Sequence, residues 1–281
     1  SVGAVTWGSG TAGISGTVSA ANSLVGTKWN DKVGAGGVTS LANGNYVVSS
    51  PDWDNDTIAN AGAVTFGEGT TGSSGLVSTT NSLVGSTVDD RVGYYYSDVS
   101  VVTALSNGNY VVNSPHWDNG SIIDAGAVTF GNGTSGVSGL ITELNSLVGA
   151  HSGDEVGFYK NNISGVTALP NGNYLVRSPG WVNGSNDNGG GVTFGDGTTG
   201  VSGFLTSRNS VASMGDDSYF NNLYRDDVNQ TFFVVYEDEN SIRVGSQVDG
   251  FQGTTFDLIS DVVISENSSE KSIDLTGLET E

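Results

Sequence analysis

Three aspartates stand at alternate positions in the stretch PDWDNDT: Asp52, Asp54 and Asp56. That spacing lets one loop turn successive carboxylates toward a hard cation, so the loop is expected either to hold a calcium ion or to stand as a solvated acidic loop. The matching positions further along read His116, Asp118, Gly120 and then Gly180, Val182, Gly184, so only the first loop keeps the set. A tryptophan recurs in the same loops, at Trp53, Trp117 and Trp181. Two uses fit it: a packing plug between neighbouring layers, or a row of exposed aromatics that stack on sugar rings.

The residues offer little for catalysis. His116 and His151 fall in different predicted loops, and neither is accompanied by a nucleophile motif such as GxSxG. A pair of acids at a glycosidase separation is possible among 30 carboxylates, but linear spacing does not display one. Asp89-Asp90, Asp154-Glu155 and Asp216-Asp217 read as polar turns between repeats. The pattern GxGxxG occurs four times, at Gly8, Gly67, Gly131 and Gly195 as first glycines. Dinucleotide binding through that pattern needs a helix N-terminus aimed at the pyrophosphate inside a βαβ unit. No helical periodicity follows any of the four, so they read as turns; no cofactor is expected, and no enzyme.

Composition narrows the partners. The net charge of −21 leaves no clustered Lys and Arg for phosphate contacts, which excludes nucleic acid. The acidity is read as solubility in a salty or calcium-rich medium. With no cysteine there is no disulfide, thiolate metal site or cysteine nucleophile. The longest apolar run, TFFVVY at 231–236, suits a strand and falls far short of the roughly 20 residues of a membrane helix. No signal-peptide pattern opens the sequence, though a mature secreted chain would have lost one.

The elements that position these residues repeat. GAVTW at 3–7 returns as GAVTF at 62–66 and 126–130 and as GVTF at 191–194; NSLVG occurs at 22–26, 81–85 and 145–149; NGNY occurs at 43–46, 107–110 and 171–174. Gly3 and Gly62 are 59 residues apart and Gly62 and Gly126 are 64 apart, the difference falling where Tyr94-Tyr95-Tyr96 is inserted, as expected of a loop. Each period reads as four short strands: VVTAL at 101–105, NYVVNSP at 109–115, AGAVTFG at 125–131 and LITELNSLVG at 140–149. Asn-Gly between β-branched runs predicts a type I′ hairpin with positive φ at Gly44, Gly108 and Gly172. One such sheet cannot bury both its faces, so copies must stack. The fold is therefore all-β, a repeat of four-stranded antiparallel sheets. A β-propeller of four or five blades is favoured over a linear stacked-sheet array, because the chain opens with third and fourth strands and closes with first and second strands that they would complete. Residues 1–215 form the repeat region, 216–260 a degenerate last copy whose strands lie within 220–247, and 261–281 an acidic tail or linker.

The run VVTALSNGNYVVNSP followed by AGAVTFG resembles the FG-GAP repeat of integrin-α-like β-propellers in the order of its motifs. It is also similar to a repeat of unknown function in large bacterial surface proteins of the filamentous-haemagglutinin type. The resemblance covers roughly residues 1–215. FG-GAP hairpins imply an Asp-x-Asp-x-Asp-Gly calcium loop. Here the hairpins read Ala42-Asn43-Gly44-Asn45, Ser106-Asn107-Gly108-Asn109 and Pro170-Asn171-Gly172-Asn173, without carboxylates, so those sites are not carried over. The expected protein is extracellular, on a bacterial cell surface or in a fibre, non-enzymatic, structural or adhesive. Its partners are then other subunits or neighbouring surface domains; the alternative is a carbohydrate-binding propeller that uses the Trp-bearing loops, assisted by calcium.

Overall fold

Runs of Val, Thr, Leu and aromatic residues only two to six long, each ended by Gly, Asn or Ser, can form strands but not helices. The computed structural model describes residues 1–94, 101–158, 164–183, 189–212, 222–236 and 241–251, and these contain strands and turns and no α-helix. Among the described residues no helix is long and apolar enough to cross a membrane.

The first sheet holds β1 (Ala4–Val5) and β2 (Leu24–Val25). The second holds β3 (Val38–Ser40), β4 (Tyr46–Ser50), β5 (Ala63–Gly67) and, after β6 (Gly75–Leu76), β7 (Ser82–Val84). The third repeats this with β8 (Val102–Ala104), β9 (Tyr110–Ser114), β10 (Ala127–Gly131), β11 (Gly139–Leu140) and β12 (Ser146–Val148). The fourth follows with β13 (Val166–Ala168), β14 (Tyr174–Ser178), β15 (Gly191–Gly195), β16 (Gly203–Phe204) and β17 (Ser210–Ala212). The last is a three-stranded antiparallel sheet of β18 (Asn222–Asp226), β19 (Thr231–Tyr236) and β20 (Ser241–Ser246). Its strands follow one another in the antiparallel order of the first three strands of a copy. The acidic tail lies outside the described residues.

One predicted element divides. The run 140–149 is broken by a turn in which the Asn145 and Ser146 amides donate to the Thr142 carbonyl. Its second half, β12, pairs antiparallel with β10 of its own sheet; its first half, β11, pairs parallel with β7 of the sheet before. β6 on β2 and β16 on β12 do the same. Each copy thus lends two residues to its predecessor, so the sheets are stapled by backbone hydrogen bonds as well as stacked.

Period-2 alternation explains the stacking. Val47 and Val48 point to opposite faces, and both are buried, in different clusters. Leu83 packs toward the third sheet with Val112 and Val148, while Val84 packs toward the first with Leu24 and Trp53. The same division recurs between the third and fourth sheets, around Val111, Leu147 and Trp181, and between the fourth and last, around Leu175, Phe232 and Tyr236. Truncating a residue such as Leu83, which is fully buried, costs about 2–5 kcal/mol in such a core. Among the described residues, no strand pairing joins β1 or β2 to β18–β20.

The hairpins differ from the type I′ expectation. Gly44, Gly108 and Gly172 have φ of 88°, 89° and 94°, as predicted. The preceding Asn43, Asn107 and Asn171 are not at positive φ. Gly44 N–H donates to Leu41 O and Leu41 N–H to Asn45 O, which makes a three-residue loop: a type I turn followed by a glycine bulge. The glycine alone needs the left-handed region, and the asparagine side chains are freed for work elsewhere.

Candidate functional site

The residues singled out for chemistry converge on the junctions between sheets. Trp53, Trp117 and Trp181 are 4, 3 and 2 % exposed, each in the cluster that joins one sheet to the next. The plug role is the one their position serves, and no indole face is available for a sugar ring. The indole N–H groups of Trp53 and Trp117 are buried without a partner, so these side chains contribute as apolar volume.

The three aspartates do not converge on a cation. Asp52 is held outward by Lys32 at 2.9 Å and Arg91 at 3.6 Å. Asp54 Oδ1 accepts the Asn60 amide at 2.9 Å, closing the Trp loop, as Asp118 Oδ1 does for the Asp124 amide at 2.8 Å. Asp56 sits at φ 50°, in a separate turn. Among the described residues no group of three His, Asp or Glu side chains is placed to share a metal ion. Alternate spacing would gather carboxylates only if the loop curled around a centre, whereas this loop spreads them over a sheet end. His116 pairs with Asp124 at 3.3 Å, and His151 with Asp154 at 3.6 Å, in different copies.

Sequence reasoning overlooked a buried carboxylate that recurs five residues after a fixed glycine: Asp31 after Gly26, Asp90 after Gly85 and Asp154 after Gly149. Asp90 Oδ2 accepts the Ser86 and Thr87 amides at 2.6 and 2.8 Å, and its Oδ1 accepts the Thr87 hydroxyl at 2.5 Å and the Asp118 amide at 2.9 Å. Asp31 takes the amides of Thr27, Lys28 and Asp54, and Asp154 those of Ala150, His151 and Val182. Each carboxylate thereby ties the turn after a fourth strand to the Trp loop of the next sheet. Burial raises the Asp90 carboxyl above the ordinary carboxylate range, and its hydrogen bonds offset part of that rise. The constant five-residue spacing was the available signal; the acid pairs read as polar turns between repeats, which does not show the burial of Asp90 and Asp154.

The asparagines form a staircase. The Gly69 amide donates to Asn45 Oδ1 at 2.9 Å, and Asn45 Nδ2 donates to Gly133 O of the next sheet at 2.8 Å. The Gly133 amide donates to Asn109 Oδ1 at 2.8 Å and Asn109 Nδ2 to Gly197 O at 2.8 Å; the Gly197 amide then donates to Asn173 Oδ1, and Asn173 Nδ2 to Gln247 O at 2.9 Å. Asn43, Asn107 and Asn171 double each step with a second donor to the same carbonyl. The GxGxxG turns are thus junction pieces. Of their last glycines, Gly72, Gly136 and Gly200 lie against Trp7, Phe66 and Phe130 of the preceding sheet, which leaves no room for a Cβ, and in the last sheet Gly250 lies likewise against Phe194. In NSLVG, Asn81 Nδ2 donates to Leu76 O, Ser82 shares a 2.7 Å hydrogen bond with Thr65, and Leu83 and Val84 fill opposite cores.

A repeat of unknown function (DUF5650) matches the chain four times, over residues 1–35, 40–94, 104–158 and 168–219. Together the matches cover well over half of the sequence, and they break at the loop that carries the insertion. The FG-GAP likeness gains no support beyond its motif order. No curated protein matches the chain.

Proposed function

The chain belongs to this repeat family, and on that premise we propose that it is a non-enzymatic structural protein of a bacterial surface or fibre, built as an open stack of sheets. The observation that carries the reading is where the repeated residues are spent. Trp, Asp, Asn, Phe and Gly at the repeat period all bond or pack to the neighbouring sheet, leaving none of them converged on a ligand. A periodic protein whose repeated chemistry is internal is selected for the stack itself, as a spacer or a scaffold for adhesion. An open stack is favoured over a propeller ring, because a ring would press the two end faces together. Val18 on the first sheet and Tyr224 on the last are instead 56 and 54 % exposed.

Pulling a single chain by its ends tests this reading. Sheets stapled in series should resist and then yield in steps, each releasing about one 64-residue copy, or roughly 210–230 Å of extended chain. Unfolding without resistance, or a glycan bound tightly by the intact chain, would count against it. Glycan binding would instead favour the carbohydrate-binding alternative, on a surface other than the buried tryptophans.

A further inference from the structure

The first sheet carries the receiving half of a junction that is filled everywhere else. At the filled junctions, Val77, Ile141 and Leu205 follow the lent strands and are each 2 % exposed against the sheet before; the matching Val18 is 56 % exposed. Ala63 and Ala127 are fully buried, whereas the matching Ala4 is exposed. The turn glycines Gly72, Gly136, Gly200 and Gly250 each lie under an aromatic ring of the preceding sheet, and Gly13 has nothing within 4 Å. Among the described residues the segment Gly16–Val18, which matches the lent strands, takes no strand partner, and β1 has no neighbour on the edge that β4 fills for β5.

This half-junction is already in its docked conformation. Gly16 has φ 109°, against 109°, 98° and 97° for Gly75, Gly139 and Gly203. Asn22 Nδ2 holds Thr17 O at 3.1 Å, as Asn81 holds Leu76 O and Asn145 holds Leu140 O at 2.9 Å. The Gly13 amide closes its turn on Ser9 O at 2.7 Å, as the Gly72 amide does on Glu68 O at 2.8 Å. A segment held in the bound shape without its partner has little ordering entropy left to lose on docking.

We propose that this face of the first sheet is a docking surface for one further sheet of the same repeat, joined ahead of Gly3 in one polypeptide. Such a sheet supplies what the face lacks: a fourth strand whose free edge takes Gly16–Val18 in parallel, an aromatic ring for Gly13 and apolar cover for Ala4 and Val18. The three-stranded sheet at the other end of the stack does not fit it, because Val244 stands there where Phe66, Phe130 and Phe194 stand before the strand-ending glycine. All the lent-strand junctions of the structure join consecutive copies, which is why the partner is placed in the same polypeptide.

The proposal rests on the stacked reading, and its test is separate from the pulling experiment. Residues 61–123 are fused ahead of Ser1, and amide hydrogen exchange is compared between the extended and the original chain. The Gly16 and Val18 amides should slow by about 100-fold or more, to the level of Gly75 and Val77, with the extended chain monomeric. Val18→Asp should lower the melting temperature of the extended chain and leave that of the original unchanged. Unchanged exchange at Gly16 and Val18 beside a folded fusion overturns the proposal. Protection that appears in the original chain only at high concentration would assign the face to a second copy, and overturns it as well. Either result leaves stepwise unfolding of the original chain intact as the measure of the stacked reading.

Discussion

The indole N–H of Trp7 donates to the carbonyl of Gly69 at 3.1 Å, and so occupies the place that an asparagine pair takes at every later junction. Among the described residues no Asn-Gly-Asn hairpin stands beside β1. Trp7 stands where Phe66, Phe130 and Phe194 stand in the other copies, and its N–H supplies the donor to Gly69 O.

Removing a step of the staircase should weaken the whole stack. Asn109→Ala strands the Gly133 amide and takes one of two donors from Gly197 O, and should cost about 2 kcal/mol in denaturant unfolding. Trp7→Phe keeps the ring and loses one hydrogen bond, so about 1 kcal/mol or less is expected. Equal costs for the two would argue against the staircase.

Glycines should divide by what surrounds them. Gly44 has open space around a Cβ, so Gly44→Ala meets only the strain of positive φ, about 1–2 kcal/mol. A Cβ on Gly133 would collide with the Gly108 backbone carbonyl, so Gly133→Ala must displace the turn that Asn45 binds. It should be the more harmful substitution in thermal unfolding, although Gly133 is not at positive φ.

High pH should unfold the stack through buried tyrosines. Burial pushes the Tyr110 hydroxyl up to about 12 from its ordinary value near 10, and raises Tyr174 further. The Tyr174 hydroxyl accepts the Val201 amide, while that of Tyr110 faces the Val137 amide short of a full hydrogen bond. A folded value above the unfolded one means the native state keeps its proton longer. The contribution is fully present below pH 10 and is lost as pH rises toward 12, amounting to about 3 kcal/mol for Tyr110. Tyr110→Phe should flatten the fall of stability between pH 10 and 12, followed by denaturant titration, and change little at pH 7.

The buried aspartates should matter more than the exposed ones. Asp90→Ala leaves three half-buried amides without an acceptor and should cost about 3 kcal/mol. Asp54→Ala loses the Asn60 amide bond, about 1 kcal/mol, and the loss should be the same with or without a calcium chelator, read by melting temperature.

Much of this protein was legible in its sequence, because period-2 alternation and Gly-Asn punctuation are local. The all-β class, the four copies, the strand positions and the positive φ of Gly44, Gly108 and Gly172 followed from neighbours a few residues apart. Trp53, Trp117 and Trp181 were recognised as periodic, but whether they lay in a core or on a rim depended on which sheet packed over them. What only the tertiary structure decided is partnership across copies. The run 140–149 is continuous in sequence and splits between two sheets at the turn on the Thr142 carbonyl. Asn45 reaches Gly133 across 88 residues, and Asp90 reaches Asp118 across 28. A side chain that can bond its own turn or a neighbouring sheet carries no local mark of its choice. The choice is made where burial leaves a backbone amide or carbonyl that nothing closer can satisfy.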